Sequence, residues 1–285
     1  MRTSTPTTSK RRRLVAAAAA LGLAVAALLP VQLASAHEST ITASATKPTI
    51  VLVHGAWADS SSWAPVTAIL QAQGYTVLVP PNALRSLASD SAELSAFIQQ
   101  ATTGPVVLVG HSYGGAVITN AATSDPTVKA LVYVDAFAPS AGQSVGEIVA
   151  GSTSALNVAD PTTIFNFVAN PSSPPGDVDV YLKSSTFNTV FAQDLPATVR
   201  AVLASGQRPI AVGALSEPSG TPAWATIPSW YVVGTADKVI PPATQLQMAA
   251  TAGSQVTKVD GSHLSMLSRP LQVANVIVQA AHSIH

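Results

Sequence analysis

The chain contains no cysteine, which excludes disulfides, thiolate nucleophiles and cysteine metal sites, so the fold must rest on its core. Charge is also scarce, at 10% of residues, against 47% hydrophobic. The 285 residues supply enough apolar material for one large core and give no sign of a second. No acidic residue precedes Ala36, whereas Arg2, Lys10, Arg11, Arg12 and Arg13 do. Beyond Ala36 nine basic residues face 14 acidic ones, a net acidity that argues against a nucleic-acid partner. The N-terminal apolar run, Leu14 to Leu29, falls short of the roughly 20 residues of a membrane span.

Together with the basic residues before it and Ala34-Ser35-Ala36 after it, that run has the three parts of a signal peptide cleaved before His37. Ser9 to Leu14 resembles a twin-arginine export signal. The expected organisation is therefore a leader over 1–36, a polar linker over 37–48 and one domain over 49–285, with the mature protein secreted and free of a membrane span.

Within the domain, short β-branched runs end at Gly, Asp or Pro: Thr49 to His54, Thr76 to Pro80, Val106 to Gly110, Ala130 to Ala136, Trp230 to Gly234 and Gln255 to Val259. They read as six mostly parallel buried strands. Helical patterns over Ala64 to Gln73, Ser86 to Ala101, Gly115 to Ala122 and Ala243 to Ala252 alternate with them, which makes the class α/β. The stretch from about Ser140 to Pro228 breaks the alternation. It is rich in Pro, Ser, Asn and Gly, has a short helical piece at Pro196 to Ser205, and reads as a cap inserted between the fourth and fifth strands. Phe165, Phe167, Phe187, Phe191, Tyr181 and Trp224 lie in it, either as its own small core or lining an apolar pocket.

Gly110-His111-Ser112-Tyr113-Gly114 matches G-x-S-x-G between an apolar strand and an Ala-rich helix, the setting in which the serine occupies a sharp, strained turn. The flanking glycines leave room for that turn, and Ser112 becomes the candidate nucleophile. A serine hydroxyl needs a base. Of six histidines, His263 in Asp260-Gly261-Ser262-His263 stands on a loop after the last strand, where the chain returns to the carboxyl edge of the sheet. His282 and His285 lack a third ligand nearby, so no metal is expected.

The base needs a carboxylate to fix its tautomer. Asp237, in a Gly-Thr-Ala-Asp turn after a strand, completes the order Ser, Asp, His and is preferred. Asp135, at the preceding strand end, is the alternative, and Asp260 reads as a turn residue. The oxyanion donors are expected to be the amides of Tyr113 and Ala56. Trp57 and Trp63 are assigned packing roles.

Val53-His54-Gly55-Ala56-Trp57, Gly110 to Gly115, Gly234 to Asp237 and Ser262-His263-Leu264 together resemble the small cofactor-free α/β-hydrolases related to plant methyl-salicylate-type esterases and hydroxynitrile lyases. The resemblance spans Thr49 to the C-terminus and implies an α/β-hydrolase fold with a six-stranded sheet and a cap. The lyases of that group typically carry Thr at the position of Gly55 and Lys at that of Leu264, so both departures point to ester hydrolysis. Ser112 at the elbow also argues against dehalogenases and epoxide hydrolases, which carry Asp there.

The expected function is a secreted serine hydrolase that forms an acyl-enzyme on Ser112 from a small or medium apolar ester. The alternatives are a cofactor-free perhydrolase or haloperoxidase-like enzyme using the same residues, and a ligand-binding sensor built on the same fold. The expected partner is a small-molecule ester, and nothing in the sequence sets an oligomeric state.

Overall fold

Every residue of β1 (Thr49–Val53) is buried, as expected of a strand covered on both faces by helices. In the computed structural model, which describes residues 47–284 apart from Ser172 and Pro175, β1 lies inside a six-stranded parallel sheet. The proposed leader, and the linker up to residue 46, lie outside the described residues.

The other strands of this sheet are β2 (Val77–Leu78), β3 (Val106–His111), β4 (Val128–Val134), β8 (Ser229–Gly234) and β9 (Gln255–Val259). Their order is β2-β1-β3-β4-β8-β9. All six expected strands form and all pair in parallel. β4 stops at Val134 because Asp135 turns into the left-handed region, with φ +45°.

From β1 the chain runs outward to β2 and then crosses back to β3, so the winding reverses beside β1. Such reversals open a crevice at the carboxyl ends of the strands. The connecting helices are α1 (Ala64–Ala72), α2 (Leu87–Ala101) and α3 (Tyr113–Ala121). Ser86 starts α2 by accepting the Ser89 N–H at 3.0 Å, which satisfies an amide that has no partner in the first turn.

A helix over Pro270–His282 was not assigned from the sequence. Its signal is present: Pro270 starts it, and Val273, Ala274, Ile277, Ala280 and Ala281 are buried at helical spacing. It packs against α1 and the sheet.

The chain between β4 and β8 departs from the irregular cap expected. It contains α4 (Val145–Ala150), closed by a reciprocal Ser144–Glu147 capping box, and an antiparallel sheet of β5 (Phe165–Ala169), β6 (Val178–Leu182) and β7 (Ile210–Ala211). These strands escaped notice because they are short, carry Asn and Asp, and are mostly exposed along β5. The expected helix forms over Ala197–Ser205. Arg85 binds Asp179 of β6 at 2.5 Å, tying this sheet to the loop before α2.

The turn after β3 is tightly packed. A Cβ at Gly114 would stand 2.7 Å from the Val53 carbonyl oxygen and 2.9 Å from that of His54. We therefore expect Gly114→Ala to destabilise the protein by about 1–3 kcal/mol, the usual range for overpacking, measured as a lowered midpoint in urea unfolding.

Candidate active site

Ser112 links β3 to α3 with φ +52° and ψ −125°, a region that non-glycine residues occupy only at a cost of about 1–3 kcal/mol. The backbone around it absorbs that cost. Its carbonyl accepts the amides of Gly115 at 2.9 Å and Phe137 at 3.1 Å. The turn presents the hydroxyl to the imidazole of His263, with Ser112 Oγ 2.9 Å from His263 Nε2.

On the other side of the ring, His263 Nδ1 lies 2.8 Å from Asp237 Oδ2. The structure thus brings the three expected residues together from loops after β3, β8 and β9. With Nδ1–H donating to the carboxylate, the Nε2 lone pair faces the serine proton, the tautomer a general base requires. Burial disfavours the charged imidazolium and holds His263 well below its ordinary pKa, at about 3, so the ring is neutral before reaction.

Asp237 is itself held by three donors. Oδ1 accepts the amides of Val239 at 2.8 Å and Ile240 at 3.0 Å, and Oδ2 accepts the Gln245 side-chain amide at 2.8 Å. Burial pushes this carboxyl up, and the donors oppose that by favouring the anion. Gln245, fully buried on the Pro242–Thr251 helix, escaped the sequence reading because a lone helical Gln carries no motif.

The alternative acid, Asp135, serves a different end. Its Oδ1 accepts the Gly234 amide at 2.8 Å and its Oδ2 the Ser265 amide at 3.2 Å, bracing the start of the loop that carries Asp237 and the end of the loop that carries His263. Burial, then the nearby Asp237, push its carboxyl well up. Asp260 is exposed, with Arg269 3.7 Å away. Among the described residues no group of His, Asp, Glu or Cys is arranged to hold a metal.

Of the two amides expected to face an oxyanion, that of Tyr113 follows Ser112 directly in the chain, and Ala56 lines the same cavity as Ser112. The Tyr113 amide heads α3, where no earlier turn supplies an acceptor, and the Ala56 amide has no acceptor among the described residues. Gly55 is obligatory beside them. A Cβ there would lie 2.6 Å from Ser112 Cβ and 2.8 Å from the His111 carbonyl oxygen, so the Thr of the resembling lyases has no room in this arrangement.

Three neighbouring residues hold this geometry. His54 Nδ1–H donates to the Gly55 carbonyl at 2.9 Å while its Nε2 accepts the Asn82 amide at 2.9 Å. His111 Nε2–H donates to the His263 carbonyl at 2.8 Å. Trp57, at φ +58°, donates its ring N–H to the Val180 carbonyl of β6 at 2.9 Å, so it anchors the loop after β1 to the inserted sheet. Trp63 packs buried, edge-on to His111.

Ser112 opens on a cavity of about 130 Å³. Its walls are otherwise almost wholly apolar and include Phe137, Val149, Leu156, Phe165, Leu215 and Val239. The insertion's Phe residues take both expected roles, with Phe167 in neither. Phe187 and Phe191 are buried, Phe165 lines the cavity and stacks on Trp57, and Phe167 is exposed.

Comparison with known proteins agrees with this architecture. The model of the family described as Alpha/beta hydrolase family matches residues 50–276. The chain belongs to the alpha/beta hydrolase family. It is 36% identical over 107 residues to a carbendazim hydrolyzing esterase of Nocardioides sp. (strain SG-4G), a match covering 33% of this chain and 44% of that protein. It is 26% identical over 267 residues to a chloroplastic Arabidopsis thaliana protein with the provisional name methylesterase 13, covering 88% of this chain and 60% of that one. The chain thus spans less than two thirds of the length of either relative. A pyrethroid hydrolase from Sphingobium faniae JZ-2 shares the fold at a TM-score of 0.68 and 22% identity, with 84% of this chain and 99% of that one superposed.

Burial lowers the pKa of His54 to about 4, so its NMR titration midpoint should fall near that value rather than near 6.5. As pH drops through 6.5 the unfolded chain takes up a proton that the folded ring refuses. This residue then withdraws stability, by at most about 1.4 kcal/mol per pH unit, until its folded midpoint is reached.

Proposed function

We propose that this protein is a serine esterase that cleaves small to medium apolar carboxylic esters through an acyl-enzyme on Ser112. The observation that carries this reading is the buried relay in which Asp237, His263 and Ser112 are joined by contacts of 2.8 and 2.9 Å, with Ser112 lining an apolar cavity. His263 takes the serine proton as Oγ attacks the ester carbonyl carbon, and the negative oxygen so formed faces the amides of Tyr113 and Ala56. Collapse of this intermediate breaks the bond to the alcohol oxygen, which receives the proton from His263. Water, deprotonated by the same imidazole, then attacks the acyl carbon and releases the acid and free Ser112.

The names of the carbendazim hydrolyzing esterase and of the Arabidopsis protein support ester cleavage, and the lack of space at Gly55 favours it over lyase chemistry. The apolar cavity walls favour substrates without charge on the portion they enclose. Export is part of the proposal, on the basic, apolar and small-residue segments of 1–36.

Incubating the protein with a fluorophosphonate probe should label Ser112, located by peptide mass spectrometry. Ser112→Ala should abolish both labelling and p-nitrophenyl ester turnover while leaving the unfolding midpoint in place. Asp237→Asn, which keeps the shape but removes the charge and favours the wrong tautomer, should lower kcat by about 10⁴-fold. Undiminished turnover in Ser112→Ala would refute the assignment, and a folded wild-type chain that never labels would favour ligand binding instead.

Cavity size generates a second expectation. Val149→Phe fills part of the wall facing Ser112, so kcat/KM for p-nitrophenyl esters of longer acyl chains should fall by roughly tenfold or more relative to the acetate, since each excluded methylene is worth about 1–3 kcal/mol. An unchanged chain-length profile would place the acyl group elsewhere.

A further inference from the structure

The loop that carries the base is not held by the main domain alone. Ser262, directly before His263, is fully buried. Its amide donates to Asp194 Oδ2 at 2.9 Å, and its hydroxyl donates to Asp194 Oδ1. Asp194 belongs to the insertion, between Phe191 and the Ala197–Ser205 helix. The residue before it, Gln193, donates its side-chain amide to the Ala236 carbonyl at 2.7 Å, and Ala236 directly precedes Asp237. Phe191, two positions earlier, sets its ring 5.1 Å from the imidazole of His263.

Three residues within one four-residue stretch of the insertion, Phe191, Gln193 and Asp194, thus contact the His263 ring and the two loops that carry Asp237 and His263. Partial burial pushes the Asp194 carboxyl up, but the bonds from Ser262 outweigh this and hold it below its ordinary range, so it is a charged acceptor at neutral pH. Charge-assisted bonds to two donors of one residue fix position more firmly than a single neutral bond.

Resting on the serine-esterase reading above, we propose that Asp194 is a positioning residue, through which the inserted segment holds Ser262 and thereby sets His263 against Ser112. The insertion is then part of the catalytic geometry as well as a wall of the cavity. Without the Asp194 anchor, the base loop keeps its hydrogen bond from His111 but loses both constraints on the residue before the base, and the Nε2-to-Oγ contact loosens. Displacement of a reacting group by about 1 Å is enough to cost up to about 100-fold in rate.

The test uses the full chain and the variants Asp194→Ala, Asp194→Asn, Ser262→Ala and the double variant Asp194→Ala/Ser262→Ala. The rate of fluorophosphonate labelling at Ser112, the kcat and KM for p-nitrophenyl acetate, and the unfolding midpoint are read for each. Asp194→Ala is expected to label roughly 10- to 100-fold more slowly, with kcat lowered to match and KM within about twofold, because the cavity is untouched. Asp194→Asn, which retains one acceptor, should recover part of the loss. The double variant should be no slower than Asp194→Ala, since both changes remove the same bonds.

If Asp194→Ala fails to fold, Asp194→Asn and Ser262→Ala carry the same comparison. A wild-type chain that labels beside folded variants that label equally fast overturns this inference alone, as does a rate loss wholly accounted for by the unfolded fraction. A folded wild-type chain that never labels overturns the esterase reading and this inference with it.

Discussion

The hydrogen bond between His263 Nε2 and Ser112 Oγ, 2.9 Å long and closed to solvent, is the contact on which the surrounding structure converges. It joins loops at the ends of non-adjacent strands, β3 and β9, so it exists only if the sheet register, the serine turn and the base loop are all correct. The serine turn is the most demanding of these. Ser112 is held in left-handed backbone, and the close approaches at Gly55, Gly110 and Gly114 leave no space for side chains around it. Precision here comes from contact between backbones, which deforms far less readily than a loop held by flexible side chains.

Burial sets the chemistry of the same region. His54, His111 and His263 are all fully buried, and each is kept toward its neutral form by loss of solvent. A neutral imidazole is the form that can accept a proton, so exclusion of water suits His263 to the base role proposed for it, with the Asp237 carboxylate facing the ring N–H. The two carboxyl groups near the loops, Asp237 and Asp135, satisfy their oxygens mainly with backbone and amide donors in place of Lys or Arg. Such donors stabilise charge without introducing a cation beside the imidazole.

The insertion closes the arrangement from above. Trp57 reaches from the loop after β1 to β6, Phe165 supplies a cavity wall, and Arg85 pairs with Asp179. Substrate shape and site geometry are therefore linked through one segment: what bounds the apolar cavity also touches the loops that hold the reacting groups.

Much of this was legible in the chain. The six parallel strands were visible as β-branched runs, the four central ones because strands buried on both faces need apolar residues throughout, whereas the edge strands β2 and β9 are half-buried or largely exposed; the Ser112 turn was visible because its glycines are sterically required. The order of Ser112, Asp237 and His263 followed from where strands end. The helix over Pro270–His282 carried a readable period that went unassigned, whereas β5, β6 and β7 left little local signal, since short, partly exposed strands do not demand apolar alternation. Chain order already favoured Asp237 over Asp135, and the tertiary structure agrees, since it is Asp237 that lies 2.8 Å from His263 Nδ1 while Asp135 accepts the Gly234 and Ser265 amides. Tertiary structure alone placed Gln245, His111 and Asp194 against the site, for their roles rest on contacts between distant segments. The residue types, the strands and the strained turn belong to the sequence, where sterics and burial act locally; the choice of partners belongs to the folded chain, where position in space determines which polar groups meet.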